Sequence, residues 1–145
     1  MTLAILGTGG HAKSVYDIIK KQKIHFFDKK KKTFKIGDKK FIVNNTSQLI
    51  NINNKKIFKV IVTIGDNKDR KKNFNILKKN NFRLATLIHP KSYVAYGSKV
   101  GEGSVVLQGS YINTDSLIGA NCIINSHASI DHDCIIDNNT HICSK

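Results

Sequence analysis

Two stretches of this 145-residue chain carry residue types whose spacing suits chemistry. The first is Gly7-Thr8-Gly9-Gly10-His11-Ala12, between the apolar run Thr2 to Leu6 and a segment with helical periodicity. Gly7, Gly9 and Ala12 fit the form G-x-G-x-x-G/A, and Asp28 follows Gly7 by 21 residues, at the end of the apolar stretch Ile24 to Phe27. That is the opening of a mononucleotide-binding unit. Gly7 permits a tight turn, Gly9 lets a ligand reach the backbone, Ala12 allows close helix packing, and the N–H groups that start the helix favour an anion. The competing reading is a tight turn that holds no ligand. The second stretch is Asp131-His132-Asp133-Cys134. An imidazole with a pKa of about 6.5 beside a carboxylate can take a proton at neutral pH; standing alone, it reads as a solvated histidine. The three cysteines form neither C-x-x-C nor a His/Cys cluster with zinc spacing. No metal is expected, and Cys122 and Cys134 read as buried structural thiols.

A glycine loop of this kind needs a strand before it and a helix after it. Thr2 to Leu6 reads as a buried strand, and about Ala12 to Lys21 as a helix with Val15, Ile18 and Ile19 on one face. Phe41 to Val43 reads as a short strand, Ser47 to Ile50 as a turn of helix, and Lys59 to Ile64 as a strong buried strand ended by Gly65. Asp66 or Asn67 can cap the helix that carries Ile76 and Leu77, and Phe82 to Ile88 returns as an extended segment. The sum is a Rossmann-like parallel α/β half-domain over residues 1–88. Its ligand edge, at the carboxyl ends of the strands, gathers Gly9, Gly10, His11, Asp28 and Gly65.

His132 belongs to a different architecture. From His89 the chain reads HPKSYV AYGSKV GEGSVV LQGSYI NTDSLI GANCII NSHASI DHDCII DNNTHI, nine blocks of six without a slip. The sixth residue is always Val or Ile, and the residue two places earlier is always small: Ser, Ser, Ser, Ser, Ser, Cys, Ala, Cys, Thr. Such a repeat suits a parallel β-solenoid with three flat sides, in which the aliphatic residue fills the interior and the small one fits near a corner. Nine sides make about three coils over residues 89–145. Residues eighteen apart then stack, placing Val100, Ile118 and Ile136 in one column and Ser104, Cys122 and Thr140 in another.

The formal net charge of +14 is divided between the two regions. Residues 1–88 hold 21 Lys and Arg against five Asp; residues 89–145 hold three basic residues against five acids. Lys29 to Lys32 is the densest part, but no aromatic residues interleave with the lysines, and no helix-turn-helix or zinc-finger pattern appears. Specific nucleic-acid binding is therefore not expected, and the charge reads as a solvated surface with a share available to the phosphates of a nucleotide-like ligand. No apolar run approaches the roughly eighteen residues of a membrane helix, and the start lacks the sections of a signal peptide, so a cytoplasmic protein without membrane insertion is expected. A nicotinamide oxidoreductase is disfavoured because the repeat leaves no second mononucleotide half.

The combination of GTGGHAKSV after the first strand, FFD after the second, TIGDNKDRKK after a third, LIHP at the junction and a hexapeptide repeat containing DHDC spans essentially the whole chain. It resembles the bacterial sialic acid O-acetyltransferases and UDP-amino-sugar N-acetyltransferases, a family of hexapeptide-repeat acyltransferases. The resemblance implies that the β-helix is left-handed, a hand the period alone does not show. It implies an α/β domain that holds a sugar or nucleotide-sugar, and a homotrimer in which acetyl-CoA lies in the groove between neighbouring β-helices. It makes His132 the general base and Asp133 the carboxylate that raises its basicity. An amine or hydroxyl attacking a thioester must lose a proton as the tetrahedral intermediate forms, and a neutral imidazole suits that task. His132 stands at the second place of its block, away from both inward series, where it can face a groove. The resemblance also implies that His141 contacts acetyl-CoA and that Asn125 lies near the acceptor. In the α/β domain it puts Gly9, Gly10 and His11 beside the sugar or phosphate, Asp28 beside the nucleoside and Gly65 at the pocket floor. His127 and His89 match no family position and read as structural or surface groups.

The chain departs from the family in two places. Lys29 stands where relatives that bind UDP-sugars often have a second acidic residue, and the family usually continues past His141 through a proline-glycine turn and further coils. The expectation is an acetyl-CoA-dependent sugar O- or N-acetyltransferase, or a fragment of one. The alternative is a truncated, non-catalytic sugar-nucleotide-binding or assembly module.

Overall fold

In the computed structural model, which describes residues 2–52 and 58–144, the apolar run Thr2–Leu6 becomes β1, with Leu3 to Leu6 all buried. A strand apolar on both faces belongs inside a parallel sheet. β1 accordingly pairs in parallel with β2 (Lys23–Asp28) on one side and β5 (Phe58–Val62) on the other. Around it lie α1 (Gly10–Ile19), β3 (Thr33–Ile36), β4 (Lys39–Asn45), α2 (Thr46–Ile50), α3 (Asn67–Lys79) and β6 (Arg83–Leu84). The sheet order is β3-β4-β2-β1-β5-β6. The chain builds outward from β1 in one direction and then resumes at β5 in the other, so the order reverses beside β1, where doubly wound sheets open a ligand crevice.

Two local expectations are revised. The sheet is not purely parallel, because β3 and β4 form an antiparallel hairpin at its edge, turning at Gly37 with φ +55°. The alternation Phe34, Ile36 and Phe41, Val43 carries that hairpin, and its aromatic side packs on Phe26, with ring centroids 5.2 Å from Phe34 and 4.9 Å from Phe41. Helix α1 starts two residues earlier than its apolar face suggested, at Gly10, and ends at Ile19.

The second unit is built of two-residue strands: β7 (Leu87–Ile88), β8 (Tyr93–Val94), β9 (Lys99–Val100), β10 (Val105–Val106), β11 (Tyr111–Ile112), β12 (Leu117–Ile118), β13 (Ile123–Ile124), β14 (Ser129–Ile130), β15 (Ile135–Ile136) and β16 (His141–Ile142). They form three parallel sheets, β7-β10-β13-β16, β8-β11-β14 and β9-β12-β15, the three sides of a left-handed β-helix. The register is eighteen residues, as in Ile112↔Ile130 and Ile118↔Ile136. Val106, Ile112, Ile118, Ile124 and Ile130 fill the interior, with Val94, Val100, Ile136 and Ile142 packed partly against them. The compact units are Met1–Leu84 and Ala85–Lys145. The division falls before residue 88 because the extended stretch read from Phe82 to Ile88 splits: Arg83–Leu84 pairs with β5, whereas Leu87–Ile88 pairs with β10.

The small-residue series does more than fit a corner. Ser104 Oγ donates to Gly119 O at 2.7 Å and accepts from Cys122 N at 2.9 Å. Ser116 repeats the bridge with Asp131 O and Cys134 N, at 2.6 and 3.2 Å. These hydroxyls satisfy backbone groups of the next coil, and the one that serves Cys122 N is buried. The third place of successive blocks forms another series, Gly97, Gly103, Gly109, Asp115, Asn121, His127, Asp133 and Asn139, all with positive φ. Each coil turns there in the left-handed conformation that Gly, Asn and Asp adopt most readily.

Candidate active site

The glycine loop is bolted to both neighbours of β1. Gly7 N donates to Phe27 O and Thr63 Oγ1 donates to Gly7 O, each at 2.8 Å. Gly7 has φ +107°, and a Cβ there would lie 3.0 Å from Ile64 Cγ1 and 3.2 Å from Thr63 O, so both the turn and the close approach require glycine. Gly9 and Gly10 face open space on their Cβ sides, and Gly10 begins α1, so its N–H groups are available to an anion. His11 is half-buried with Nε2 enclosed.

A pocket opens at the carboxyl ends of β1 and β5, lined by Leu6, Gly7, Asp28, Ile64, Asp69 and Asn73 among others. Asp28 therefore reaches the predicted edge. Its carboxylate, however, is engaged: Oδ2 accepts from Thr8 N (3.0 Å) and Thr8 Oγ1 (2.7 Å), and Oδ1 accepts from Lys30 N (3.0 Å) and Lys31 N (3.4 Å). Burial pushes this carboxyl's pKa up, but the hydrogen bonds from Lys30, Thr8 and Lys31 outweigh it, and the net shift is below the ordinary value. Lys31 Nζ adds a bond to Thr8 O at 2.9 Å, so one member of the lysine run ties the two loops together. Gly65 is exposed; its neighbour Ile64 lines the pocket, while Gly65 O accepts from Arg70 Nη1 at 3.0 Å. Arg70 is buried and also holds Asn67 Oδ1 at 2.6 Å and Ile64 O at 3.3 Å, bracing the loop after β5. Sequence reasoning missed it, since the only signal is an arginine one helical turn beyond a cap, amid surface lysines.

In the β-helix the predicted residues fall at two corners. Asn125 leads from β13 into β14, and its Nδ2 lies 3.3 Å from Nε2 of His141, which pairs with Ile123 on the β13 side. His132 leads from β14 into β15, at the next corner. Its Nδ1 is 2.6 Å from Asp133 Oδ2, and both side chains are largely exposed, at 66% and 74%. Asp133 occupies the left-handed turn position, with φ +54°. The hydrogen bond to Asp133, then the charge of Asp131, then that of Asp133, raise the imidazole's pKa above its ordinary 6.5. With Nδ1–H turned to Asp133, Nε2 presents its lone pair outward.

Asp131 was not singled out by sequence reasoning. Its Oδ1 accepts from His132 N at 2.8 Å and from Asn113 Nδ2 at 3.1 Å, bracketing the histidine to the coil below. The eighteen-residue column that stacks Asn113 on Asp131 is the signal that could have found it. His89 is buried and accepts from Lys91 N at 3.0 Å, and His127 turns a corner with φ +59°. Among the described residues no helix is long and apolar enough to cross a membrane, and no group of three or more His, Cys, Asp or Glu could hold a metal ion.

Residues 2–77 match the family described as the PglD N-terminal domain. Along nearly its whole length the chain is similar to the acetyltransferase domain of PglB from Neisseria gonorrhoeae FA1090, with 30% identity over 99% of this chain and 71% of that one and a TM-score of 0.89. The same PglB domain in complex with acetyl coenzyme A matches at 30% identity over 97% of this chain and 69% of that one, TM-score 0.87. PerB from Caulobacter crescentus, solved in complex with CoA and GDP-perosamine, matches at 31% identity over 97% of this chain and 68% of that one, TM-score 0.85. No curated protein matches the chain.

Proposed function

Because this chain belongs to the family of sugar acetyltransferases that share the PglD N-terminal domain, we propose that it transfers the acetyl group of acetyl-CoA to an amino or hydroxyl group of a sugar carried as a nucleotide-sugar. The observation that carries this reading is the 2.6 Å contact between His132 Nδ1 and Asp133 Oδ2 on an exposed turn. The carboxylate holds the imidazole in the tautomer whose Nε2 is free, and it stabilises the imidazolium once Nε2 has taken a proton. His132 Nε2 removes the proton of the attacking amine or hydroxyl. Acetyl-CoA supplies the acetyl group as an activated thioester. His141, half-buried and oriented by Asn125, is the residue that would contact it. In the α/β unit the Gly9–Gly10 loop and the start of α1 bind the phosphates, with His11 beside them. The PerB complex with GDP-perosamine supports a nucleotide-linked amino-sugar as the acceptor.

The two corners also bear on assembly. His132 lies at one and the Asn125–His141 pair at the next, an arrangement that supports a homotrimer in which the corner of one copy faces a different corner of its neighbour. Incubation with acetyl-CoA and a panel of UDP- and GDP-amino-sugars and sialic acids, followed by thiol release and product mass, tests the reading. Acetylated product from the parent chain and at least a hundredfold less from His132→Ala is expected; equal product from the variant would remove His132 from the chemistry. Sugar-nucleotide binding without thiol release would make the chain a binding module.

A further inference from the structure

Two carboxylates line the pocket at the carboxyl ends of β1 and β5, and they differ in what remains of their hydrogen-bonding capacity. Asp28, placed by spacing where a nucleotide's ribose is usually read, already accepts two donors from Thr8 at Oδ2 and two backbone N–H groups at Oδ1. A carboxylate offers about four such positions, so little is left for a ligand. Asp69 is the reverse case. Its N–H donates to Asp66 Oδ1 at 2.9 Å and its carbonyl accepts from Asn73 Nδ2 at 2.8 Å, which fixes the residue on the first turn of α3. Its carboxylate accepts no hydrogen bond from any described residue. Thr46, on the same pocket, has its Oγ1 enclosed and without a partner. An enclosed hydroxyl left unsatisfied is costly unless a ligand completes it. Lys29 and Lys30 line the pocket as well.

We infer that Asp69, with Thr46, is the specificity-determining acid of this pocket, taking the vicinal hydroxyls of a nucleotide-sugar, and that Asp28 is a positioning residue for the glycine loop. This rests on the sugar-acetyltransferase reading. Vicinal hydroxyls occur on both the ribose and the hexose of such a ligand, and a carboxylate accepts from either pair. The lysines suit the diphosphate that joins them. An acidic residue on the first turn of a helix also gains from the helix dipole, but that effect changes stability and not the choice between ligands.

Calorimetric titration of the full chain, Asp69→Asn and Asp28→Asn separates these roles. The probes are UDP and GDP, their 2′,3′-dideoxy analogues, and UDP-glucose and GDP-mannose, with thermal unfolding recorded for each protein. The parent chain is expected to prefer a ribose nucleotide over its dideoxy analogue, or a nucleotide-hexose over the bare diphosphate, by roughly 10- to 100-fold. Asp69→Asn should lose that preference at little cost in melting temperature. Asp28→Asn should weaken every probe by a similar factor, melt earlier, and keep the preference. A parent chain that binds nucleotides without either preference, an Asp69→Asn variant that keeps it, or an Asp28→Asn variant that loses it overturns the inference alone. Absence of all nucleotide binding by the parent overturns the nucleotide-sugar reading and the inference with it.

Discussion

In its proposed role as the base, His132 can act only when neutral, and its neighbours oppose neutrality. The hydrogen bond to Asp133 and the charges of Asp131 and Asp133 raise its pKa above 6.5, so kcat/KM should climb with pH through a value above 6.5 and level off beyond it. Asp133→Asn should move that limb to lower pH, and Asp131→Asn should move it less in the same direction. A limb that stays in place in both variants would exclude the carboxylates from tuning the base. The sign is opposite for Asp28. Its folded pKa lies below the ordinary 3.8, so its contribution to stability is present above that value and fades as pH falls through the lower, folded one. Thermal unfolding should therefore show Asp28→Asn melting below the parent chain at pH 7, with the gap closing in strong acid. The pairing of His132 with Asp133 was legible because the two are adjacent in the chain. The occupation of Asp28 was only half legible: Lys30 and Lys31, which fill Oδ1, are its chain neighbours, whereas Thr8, which fills Oδ2, sits on a loop 20 residues away.

At the scale of elements, the β-helix depends on what its corners admit. Gly101 is a sharp case: a Cβ there would lie 2.6 Å from Gly119 C and 2.7 Å from Ala120 N, both backbone atoms that cannot turn aside. Gly101→Ala should cost about 1–3 kcal/mol, read as a lower denaturation midpoint at unchanged slope. Ser104→Ala removes the acceptor of the buried Cys122 N and a donor to Gly119 O, and should cost a similar 1–3 kcal/mol; a stability equal to the parent's would mean that the small series acts by size alone. The six-residue period and the inward aliphatic series were plain in the sequence. The left-handed third place was equally present in Gly97, Gly103, Gly109, Asp115, Asn121, His127, Asp133 and Asn139, but a column mixing glycine, carboxylate, amide and imidazole is united only by backbone conformation, which hydropathy does not reveal. It also makes Asp133 a turn residue as well as a partner to His132, so Asp133→Asn probes its charge more cleanly than Asp133→Ala.

At the scale of the molecule, the proposed binding and proton-transfer roles fall on separate compact units, and steady-state kinetics should divide the same way. His132→Ala should lower kcat by about 10²–10⁴ with sugar-nucleotide affinity kept, whereas Asp28→Asn should act mainly on KM; a His132 variant that loses nucleotide binding would contradict the division. The sequence by itself determined the strand, glycine turn and helix at the start and the parallel coils at the end, because each is written in local order or in a fixed period. Tertiary structure decided which side chains are free to act. Coils stacking at eighteen residues set Asn125 against His141 at one corner and left His132 at the next, and closure of the β1 and β2 loops consumed Asp28 while leaving Asp69 open. The physical reason is that a polar group's availability depends on the donors that reach it in space, and those come from segments whose separation along the chain carries no trace of their meeting.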